Sequence, residues 1–305
     1  MKIMNQYFKK FIKNKLIYYL MAAPAIIVIG IIFLYPVGYT IWVGFFKLSL
    51  TSAANSAKWI GIKNYLSLLK DPTLRQVIQN TITYVIISVP LEILFGLMSA
   101  QLLDPFFRGR NIIRALWLVP FMFTPVVVAY QWKWLFNDQS GLINYILMSL
   151  GIIDNKIAWL SDPLLAMPSV IITDIWFTTP FVTLLLLAGI QSLPIEPFES
   201  AEVDGASGWQ KFLYIRLPLL RPIMLVVILL KTMDAMKVFD HIYIMTYGGP
   251  GLKTEVIMTY AYKIGFVTFN VGQAAAVSVF SLFLMLLTTG IILLLFRQKS
   301  LISYY

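Results

Sequence analysis

The sequence contains no cysteine and only one histidine, His241, in 305 residues. The absence of cysteine excludes disulfide bonds, thiolate metal sites and thiol redox chemistry. One histidine cannot supply a multi-histidine zinc site, and no H-E-x-x-H motif occurs. We therefore expect neither a metal site nor a bound cofactor in this chain.

Charged residues are also scarce, at 12% of the chain against about 25% in soluble globular proteins. Apolar residues make up 59%, where roughly 45–50% is usual. This composition excludes a disordered chain and argues against a soluble two-domain enzyme. The formal net charge of +10 comes from basic residues spread around apolar runs, which is typical of membrane topology signals and lipid headgroup contacts. We expect a polytopic membrane protein that does not bind nucleic acid.

Six apolar runs are long enough to cross a bilayer, since a helical span needs about 20 residues. Only a helix satisfies its own backbone polar groups in hydrocarbon, and no run shows the alternation of β-barrel strands. The first run is too long for a signal peptide, whose apolar region has about 7–15 residues. The sequence predicts an all-α membrane protein with one membrane domain, residues 20–299, between tails 1–19 and 300–305. Its six transmembrane helices are predicted at residues 20–46, 81–103, 112–134, 164–190, 218–236 and 272–296.

The orientation follows from the lysines and arginines near the ends of the spans. The N-terminal tail, the short loop 104–114 and the C-terminus carry the basic residues that weigh most. All three favour a topology with both termini in the cytoplasm. The long connections 47–80, 133–163 and 241–271 then lie outside.

The segment between the fourth and fifth runs, residues 191–217, is acidic and interrupted by proline and glycine. Pro197 suits the first position of a helix, and the acids around it favour a helix N-terminus. Gly205 can take the left-handed conformation that ends this helix. Ser207 followed by Gln210 predicts a capping box at the start of a second helix. The pattern therefore predicts a cytoplasmic helix–turn–helix.

Two interpretations of this helix–turn–helix remain open on pattern alone. Trp209, Phe212 and Leu213 share one face of the second helix, since they are three and four residues apart. An amphipathic helix lying in the membrane interface would have such a face. A rigid knob that docks into a groove of a soluble partner would also have it.

The same segment resembles the EAA loop of binding-protein-dependent ABC importer permeases. The resemblance rests on Glu199-Ser200-Ala201, on Gly205 and on Ile215-Arg216-Leu217-Pro218, at the spacing of that family, with Ser200 in place of its second motif residue. The longer pattern E-x-A-x-x-D-G-A is similar to the carbohydrate-uptake subfamily. Three further patterns of that subfamily follow in order: I-G-I-K-N-Y at 60–65 with N-T at 80–81, W-L-F with G-L-I-N within 134–144, and F-D-x-I-Y-x-x-T-x-G-G-P at 239–250.

The resemblance implies a type I ABC importer permease, a multi-pass subunit of the bacterial cell membrane that forms half of a carbohydrate pathway. The sequence has no G-x-x-x-x-G-K-[ST] phosphate loop, so ATP and Mg²⁺ would be bound by a separate ATPase dimer, and this chain would not be an enzyme. The other implied partners are a second homologous permease, an extracytoplasmic solute-binding protein, the carbohydrate and membrane lipid. The implied coupling residues are Glu199, Ser200, Ala201, Asp204, Gly205, Ala206, Trp209, Phe212, Ile215, Leu217 and Pro218.

Polar residues within the predicted spans are candidates for the solute pathway. A carboxylate at mid-membrane costs about 2.5–3.5 kcal/mol or more, so Glu92 should face the bundle or an aqueous cavity. It could equally lie near the headgroups or bond to a neighbouring helix. Lys231, Asp234 and Lys237 follow one another at intervals of three, so they could share a face and pair with one another. The full set of candidates is Glu92, Asp174, Trp176, Phe177, Thr178, Lys231, Asp234, Lys237 and Asp240.

Gly248, Gly249 and Pro250 predict a turn in the last long connection, and a role of this turn in gating the outer mouth stays open. A secondary transporter or channel is an alternative function, which would show inverted repeats or broken spans in both halves. A membrane-embedded enzyme is a further alternative, although it would need a catalytic constellation around one chamber. Maltodextrins, trehalose, raffinose-type oligosaccharides, monosaccharides and glycerol-3-phosphate all fit as solutes.

Overall fold

A computed structural model describes residues 18–50, 57–105 and 107–297. The predicted tails lie outside the described residues, apart from Tyr18 and Tyr19. Within the described part, five helical regions are long and apolar enough to cross a membrane. They are α1 (Tyr18–Val43), α3 (Pro72–Leu103), α7 (Ala166–Gln191), the region Gly208–Met245, and α13 (Val271–Arg297).

Shorter elements connect these helices. The remaining helices are α2 (Lys63–Leu69), α4 (Arg110–Leu118), α5 (Pro125–Leu135), α6 (Leu142–Ser149), α8 (Glu196–Val203), α9 (Gly208–Lys211), α10 (Leu217–Met236), α11 (Asp240–Met245) and α12 (Ile257–Tyr262). A 3₁₀ turn spans Pro120–Met122, and π-helical segments span Gly30–Leu34, Phe212–Arg216 and Lys263–Val267. Strands β1 (Phe46–Lys47) and β2 (Lys58–Trp59) form an antiparallel pair in which Phe46 lies opposite Trp59.

The third predicted span, residues 112–134, is wrong as a single helix. Helix α4 ends at Leu118, and α5 begins at Pro125, with the 3₁₀ turn and two extended residues between them. Thr124 is extended (φ −75°, ψ 146°) because the ring of Pro125 disfavours helical backbone in the residue before it. Thr124 also caps α5, since its hydroxyl accepts a hydrogen bond from the Val127 amide at 3.5 Å.

The other predicted spans fall on helices, but the structure places several of their ends differently. Helix α3 begins at Pro72, nine residues before the predicted start at 81, because Asp71 caps it by accepting a hydrogen bond from the Thr73 amide at 2.8 Å. The prediction followed the apolar run from residue 81 and therefore missed the polar first turns of α3. Helix α1 ends at Val43 because Phe46, predicted as its last residue, pairs with Trp59 in the two-stranded sheet.

The chain divides into two compact units, and the first comprises residues up to Leu68 together with Ile264–Val279. In this unit Asn64 is buried, and its amide donates to the carbonyls of Gly44 and Phe46, each at 2.9 Å. The rings of Phe45 and Trp59 stack at 5.4 Å beside these bonds. Asn64 therefore fixes the short connection between α1 and the strand pair.

The second unit comprises Leu69–Lys263 and residues from Phe280 onward, and it contains the main helical core. Helix α3 packs most extensively along α7, and α10 packs against both. One apolar cluster is centred on Tyr84, Val170 and Ile242. A second cluster lies toward the C-terminal end of α3 and includes Ala100 and Leu186.

Candidate functional site

The first helix of the 191–217 segment ends in the turn that the sequence predicts. Gly205 has a φ of +76°, in the left-handed region. Its amide donates to the Glu202 carbonyl at 3.1 Å, and the Ala206 amide donates to the Ala201 carbonyl at 2.9 Å. These two bonds form a Schellman motif, so α8 ends at a fixed angle. Pro197, predicted at the first helical position, occupies the second, because α8 begins at Glu196.

The predicted capping box is also present at the start of α9. The Ser207 hydroxyl accepts from the Gln210 amide at 3.3 Å, and the Gln210 side chain accepts from the Ser207 amide at 2.7 Å. The sequence predicts that a separate span begins at Pro218. The structure does not show this boundary, because helical backbone continues from α9 through the π-helical segment into α10. The second helix of the segment and the fifth predicted span thus form one continuous helical region.

The segment presents acidic and apolar groups to its surroundings. Glu199 is exposed, and Val203, Trp209 and Tyr214 are 89%, 67% and 76% exposed. The rings of Trp209 and Phe212 lie 5.3 Å apart. A cavity of about 350 Å³ lies between the two helices of the segment, and its lining includes Ala201, Asp204, Gly205, Ala206 and Ile215. The small residues of the predicted motif therefore leave a concave surface beside exposed carboxylates.

Glu92 faces the helix bundle, as the first interpretation expects, and bonds to a neighbouring helix, as the second allows. Its carboxylate lies 3.1 Å from the Lys231 ammonium of α10. The side chains of Glu92 and Lys231 are 0% and 4% exposed, so the pair is enclosed in the core of the second unit. Because burying a single charge is so costly, each side chain depends on the other for compensation.

The prediction that Lys231, Asp234 and Lys237 share a face is wrong for Lys231. Residues six apart on a helix point about 120° away from each other, so Lys231 is turned toward α3. Asp234 and Lys237 pair with each other at 3.4 Å, and both side chains are about half exposed. The pairing of two of the three residues is therefore confirmed, while the third belongs to a different environment.

Asp174 faces His241, which the sequence analysis did not place among the pathway candidates. The imidazole Nδ1 lies 3.8 Å from the Asp174 carboxylate, and the His241 ring lies 5.5 Å from the ring of Phe177. Asp174 is also close enough to Glu92 for their charges to interact. Helices α3, α7, α10 and α11 thus contribute Glu92, Asp174, Lys231 and His241 to a buried charge cluster.

The remaining pathway candidates have different surroundings. Trp176 is 37% exposed, and its ring lies 5.6 Å from that of Trp132. Phe177 and Thr178 are buried, and the Thr178 hydroxyl donates to the Asp174 backbone carbonyl at 2.8 Å. Asp240 is half-buried in the first turn of α11. In the described residues no group of three histidine, aspartate or glutamate side chains could hold a metal ion.

The Gly248-Gly249-Pro250 turn is confirmed, and it belongs to a closely bonded loop. The Thr254 hydroxyl donates to the Gly249 carbonyl at 2.7 Å. Asn80 of α3 donates to the carbonyls of Leu252 and Glu255 at 2.7 and 2.9 Å. The buried Glu255 carboxylate pairs with Lys263. The sequence contained no signal for this pair, since each residue is an isolated charge in a polar connection.

A further polar contact joins this loop region to the start of α3. The Tyr260 hydroxyl donates to the Asp71 carboxylate at 2.5 Å. Burial acts to raise the pKa of Asp71, but the hydrogen bonds from Tyr260 and Thr73 outweigh it, so this pKa lies below its ordinary value. Burial, followed by the bond to Asp71, raises the pKa of Tyr260. The two shifts favour the same arrangement, a protonated phenol beside an ionised carboxylate.

The comparison with known proteins identifies the family. Residues 92–300 match the model of the binding-protein-dependent transport system inner membrane component family. The chain belongs to this family. A probable ABC transporter permease of Sinorhizobium fredii is 36% identical over 92% of this chain and 88% of its own length. The trehalose/maltose transport system permease MalF of Thermococcus litoralis is 36% identical over 87% and 89%.

Further relatives extend the likeness to nearly the whole chain. The sulfoquinovosyl glycerol transport system permease SmoG of Agrobacterium fabrum is 34% identical over 94% of this chain and 92% of its own length. A bacterial ABC transporter involved in alginate import has the same fold, with a TM-score of 0.78 at 24% identity over 98% and 100% of the two chains. These findings confirm the resemblance to binding-protein-dependent importer permeases. Together with the five apolar helices, the family establishes a membrane transport component.

Proposed function

We propose that the chain is a permease subunit of an ATP-driven importer and forms half of the translocation pathway for a carbohydrate. The observation that carries the proposal is the exposed helix–turn–helix 191–217, joined without a break to a spanning helix. The solute class is supported by the relatives, which are named for trehalose/maltose and sulfoquinovosyl glycerol transport. A second solved neighbour, 26% identical with a TM-score of 0.78, is an alginate transporter in complex with an alginate pentasaccharide-bound periplasmic protein.

The proposed role of segment 191–217 is to dock on a separate ATPase dimer that binds ATP and Mg²⁺. The Schellman turn at Gly205 and the capping box at Ser207 fix the angle between α8 and α9. A movement imposed on this segment would therefore be passed directly into α10, because no flexible linker intervenes. We infer from this role that the segment and both termini are cytoplasmic and that the chain resides in the plasma membrane.

The other proposed partners complete the transporter. A second homologous permease supplies the other half of the pathway, and an extracytoplasmic binding protein delivers the solute. Among the pathway candidates, the half-exposed Asp234, Lys237 and Trp176 are the better placed to meet a solute. Glu92 and Lys231 instead neutralise each other in the core, so we assign them to holding the helices together.

The docking role is tested at Gly205. Any side chain with a Cβ is strained at its φ of +76°, although the space around it is open, so Gly205→Val perturbs the turn without a clash. We expect the variant to insert normally and to lose co-purification with the ATPase and uptake of radiolabelled maltose and trehalose. Gly208→Ala is the matched control, since Gly208 also has open space but no left-handed φ. Wild-type ATPase binding and uptake by Gly205→Val would refute the docking role.

A further inference from the structure

Arg216 lies where the 191–217 segment meets the membrane helices, and its guanidinium contacts two different elements. It donates to the side-chain oxygen of Gln101 at 2.5 Å and lies 3.5 Å from the carboxylate of Asp104. The guanidinium carbon also lies 5.6 Å from the centre of the Phe198 ring in α8. One side chain therefore connects the end of α3, the first helix of the segment and the start of α10.

The geometry of this contact is well suited to arginine. Gln101 and Asp104 are three residues apart at the C-terminal end of α3, so they present their side chains on the same face. The positive charge also complements the negative end of the helix dipole. A planar guanidinium can donate to two acceptors in fixed directions, which a lysine ammonium cannot reproduce. The Arg216 and Asp104 side chains are about one-quarter exposed, so water screens this pair only in part.

The contact borders a cavity of about 500 Å³ between α3 and the segment. Its lining includes Gln101, Asp104, Phe198 and Arg216. Leu193 at the start of the segment packs against the apolar cluster that includes Ala100 and Leu103 of α3, so Arg216 supplies the polar part of this contact. Arg216 therefore contributes a directional contact that helps fix the segment's position relative to α3.

A second polar contact joins the same two helical regions farther along. Lys231 is fifteen residues after Arg216, and Glu92 is twelve residues before Asp104. At about 1.5 Å per residue, the Arg216 and Lys231 contacts are separated by roughly 20 Å along the helices. Helices fixed to each other at two such points resist both sliding and pivoting. These two contacts therefore hold α3 and α10 side by side from the 191–217 segment onward.

We propose that Arg216 is a positioning residue that transmits movement of the 191–217 segment to α3. The proposal rests on the proposed function, in which that segment docks on the ATPase. With Arg216 in place, a displaced segment carries both α10 and α3. Without it, the segment carries α10 alone, and ATP hydrolysis is no longer matched to movement of the helix pair.

The direct test measures the contact itself and needs no activity. The chain has no cysteine, so Met98→Cys on α3 and Val203→Cys on α8 give two defined positions for spin labels. Both residues are more than half exposed. Pulsed electron paramagnetic resonance on the full chain in lipid nanodiscs should give a narrow distance distribution with Arg216 present. We expect Arg216→Ala to broaden it and Arg221→Ala, an exposed arginine five residues further on, to leave it unchanged.

The functional test uses the complex with its second permease and ATPase in nanodiscs. ATP hydrolysis is measured without and with saturating cognate binding protein. We expect Arg216→Ala to reduce the stimulation, which is the ratio of hydrolysis with and without binding protein, by about tenfold or more, in line with the loss of a charge-assisted hydrogen bond. Arg216→Lys should recover part of the stimulation, because the charge remains near Asp104. Gln101→Ala and Asp104→Asn should each reproduce part of the defect from the opposite side of the contact.

The outcomes separate this inference from the function on which it rests. If the wild-type complex showed no stimulation by the binding protein, the proposed function would fail, while the distance measurement would still report on the contact. If Arg216→Ala kept both the narrow distribution and full stimulation, the positioning role would be refuted. Should Arg216→Ala fail to fold, unchanged widths and stimulation in Gln101→Ala and Asp104→Asn would refute it equally.

Discussion

The buried pair of Glu92 and Lys231 gives the sharpest prediction about stability. Breaking a buried ion pair by removing one partner costs about 3–5 kcal/mol, because the remaining charge is left without compensation. Replacing both partners with apolar groups of similar size is often neutral or stabilising. We therefore expect Lys231→Met to be severely destabilising and the double variant Glu92→Leu/Lys231→Met to recover most of the loss.

The neighbours of the pair add an asymmetry between the two single variants. The buried charge cluster contains two carboxylates, one ammonium and one imidazole. Glu92→Gln leaves Lys231 with Asp174 still nearby, so its charge stays partly compensated. Lys231→Met removes the ammonium and leaves the Glu92 and Asp174 carboxylates to repel each other. The lysine variant should therefore lose more of the free energy of unfolding than the glutamate variant.

The measurement is the free energy of unfolding of the full chain in mixed detergent micelles, by titration with a denaturing detergent. Lys237→Met is the matched control, because it removes the same group from a half-exposed pair near the end of the same helix. Such a pair contributes about 0–1 kcal/mol, so this variant should stay close to wild type. The reasoning fails if Lys231→Met unfolds no more easily than Lys237→Met. It fails equally if the double variant is as unstable as Lys231→Met.

Three further outcomes follow from the structure. Glu199→Ala removes an exposed carboxylate, so we expect a change in stability under about 0.5 kcal/mol, measured by thermal unfolding, with coupling to the ATPase weakened several-fold in the same preparation. Ser207→Ala removes half of the capping box and should cost about 0.5–2 kcal/mol of helix stability at the start of α9. The loss should be measured as faster amide hydrogen exchange in α9, and the control Ser149→Ala within α6 should leave that exchange unchanged. The pKa of Asp71 is lowered in the folded state, so ionised Asp71 stabilises the protein above its ordinary pKa of about 3.9, and this stabilisation is lost as the pH falls through the folded pKa. Tyr260→Phe removes a hydrogen bond that lowers this pKa, so it should destabilise the protein at neutral pH and progressively less in acid, as measured by unfolding at several pH values.

The local features of the 191–217 segment could be predicted because short-range chemistry determines them. A glycine that ends a helix and a serine followed three residues later by glutamine each specify backbone geometry within one turn. The structure bears out both at Gly205 and Ser207. The π-helical segment that makes the second helix continuous with α10 has no comparable sequence signal, so the prediction placed a boundary at Pro218 instead.

The buried charge cluster could be predicted only in part, because its members come from four helices, and Glu92, Asp174 and Lys231 are more than fifty residues apart in sequence. The cost of an intramembrane charge marks Glu92, Asp174 and Lys231 as residues in need of partners, but it does not say which partners they find. The spacing along one helix predicted Asp234 as the partner of Lys231. In the structure α10 packs against α3, and the partner is Glu92. His241 was considered only as a metal ligand, although burial beside Asp174 is what the structure shows.

The break between α4 and α5 was not predicted, because the prediction considered the hydrophobicity of the run and not its prolines. The run 112–134 is long enough for a span, yet Pro120 and Pro125 both lack the amide hydrogen that an unbroken helix would use. Phe121, within the 3₁₀ turn, stacks on Phe181 of α7 at 4.9 Å, and Trp117 at the end of α4 donates to the Thr183 hydroxyl at 3.1 Å. The end of α4 and the turn itself are thus supported by α7. Because α3 and α10 are joined by two polar contacts while this element is interrupted, we expect residues 119–124 to bend more than the contacts between α3 and α10 separate.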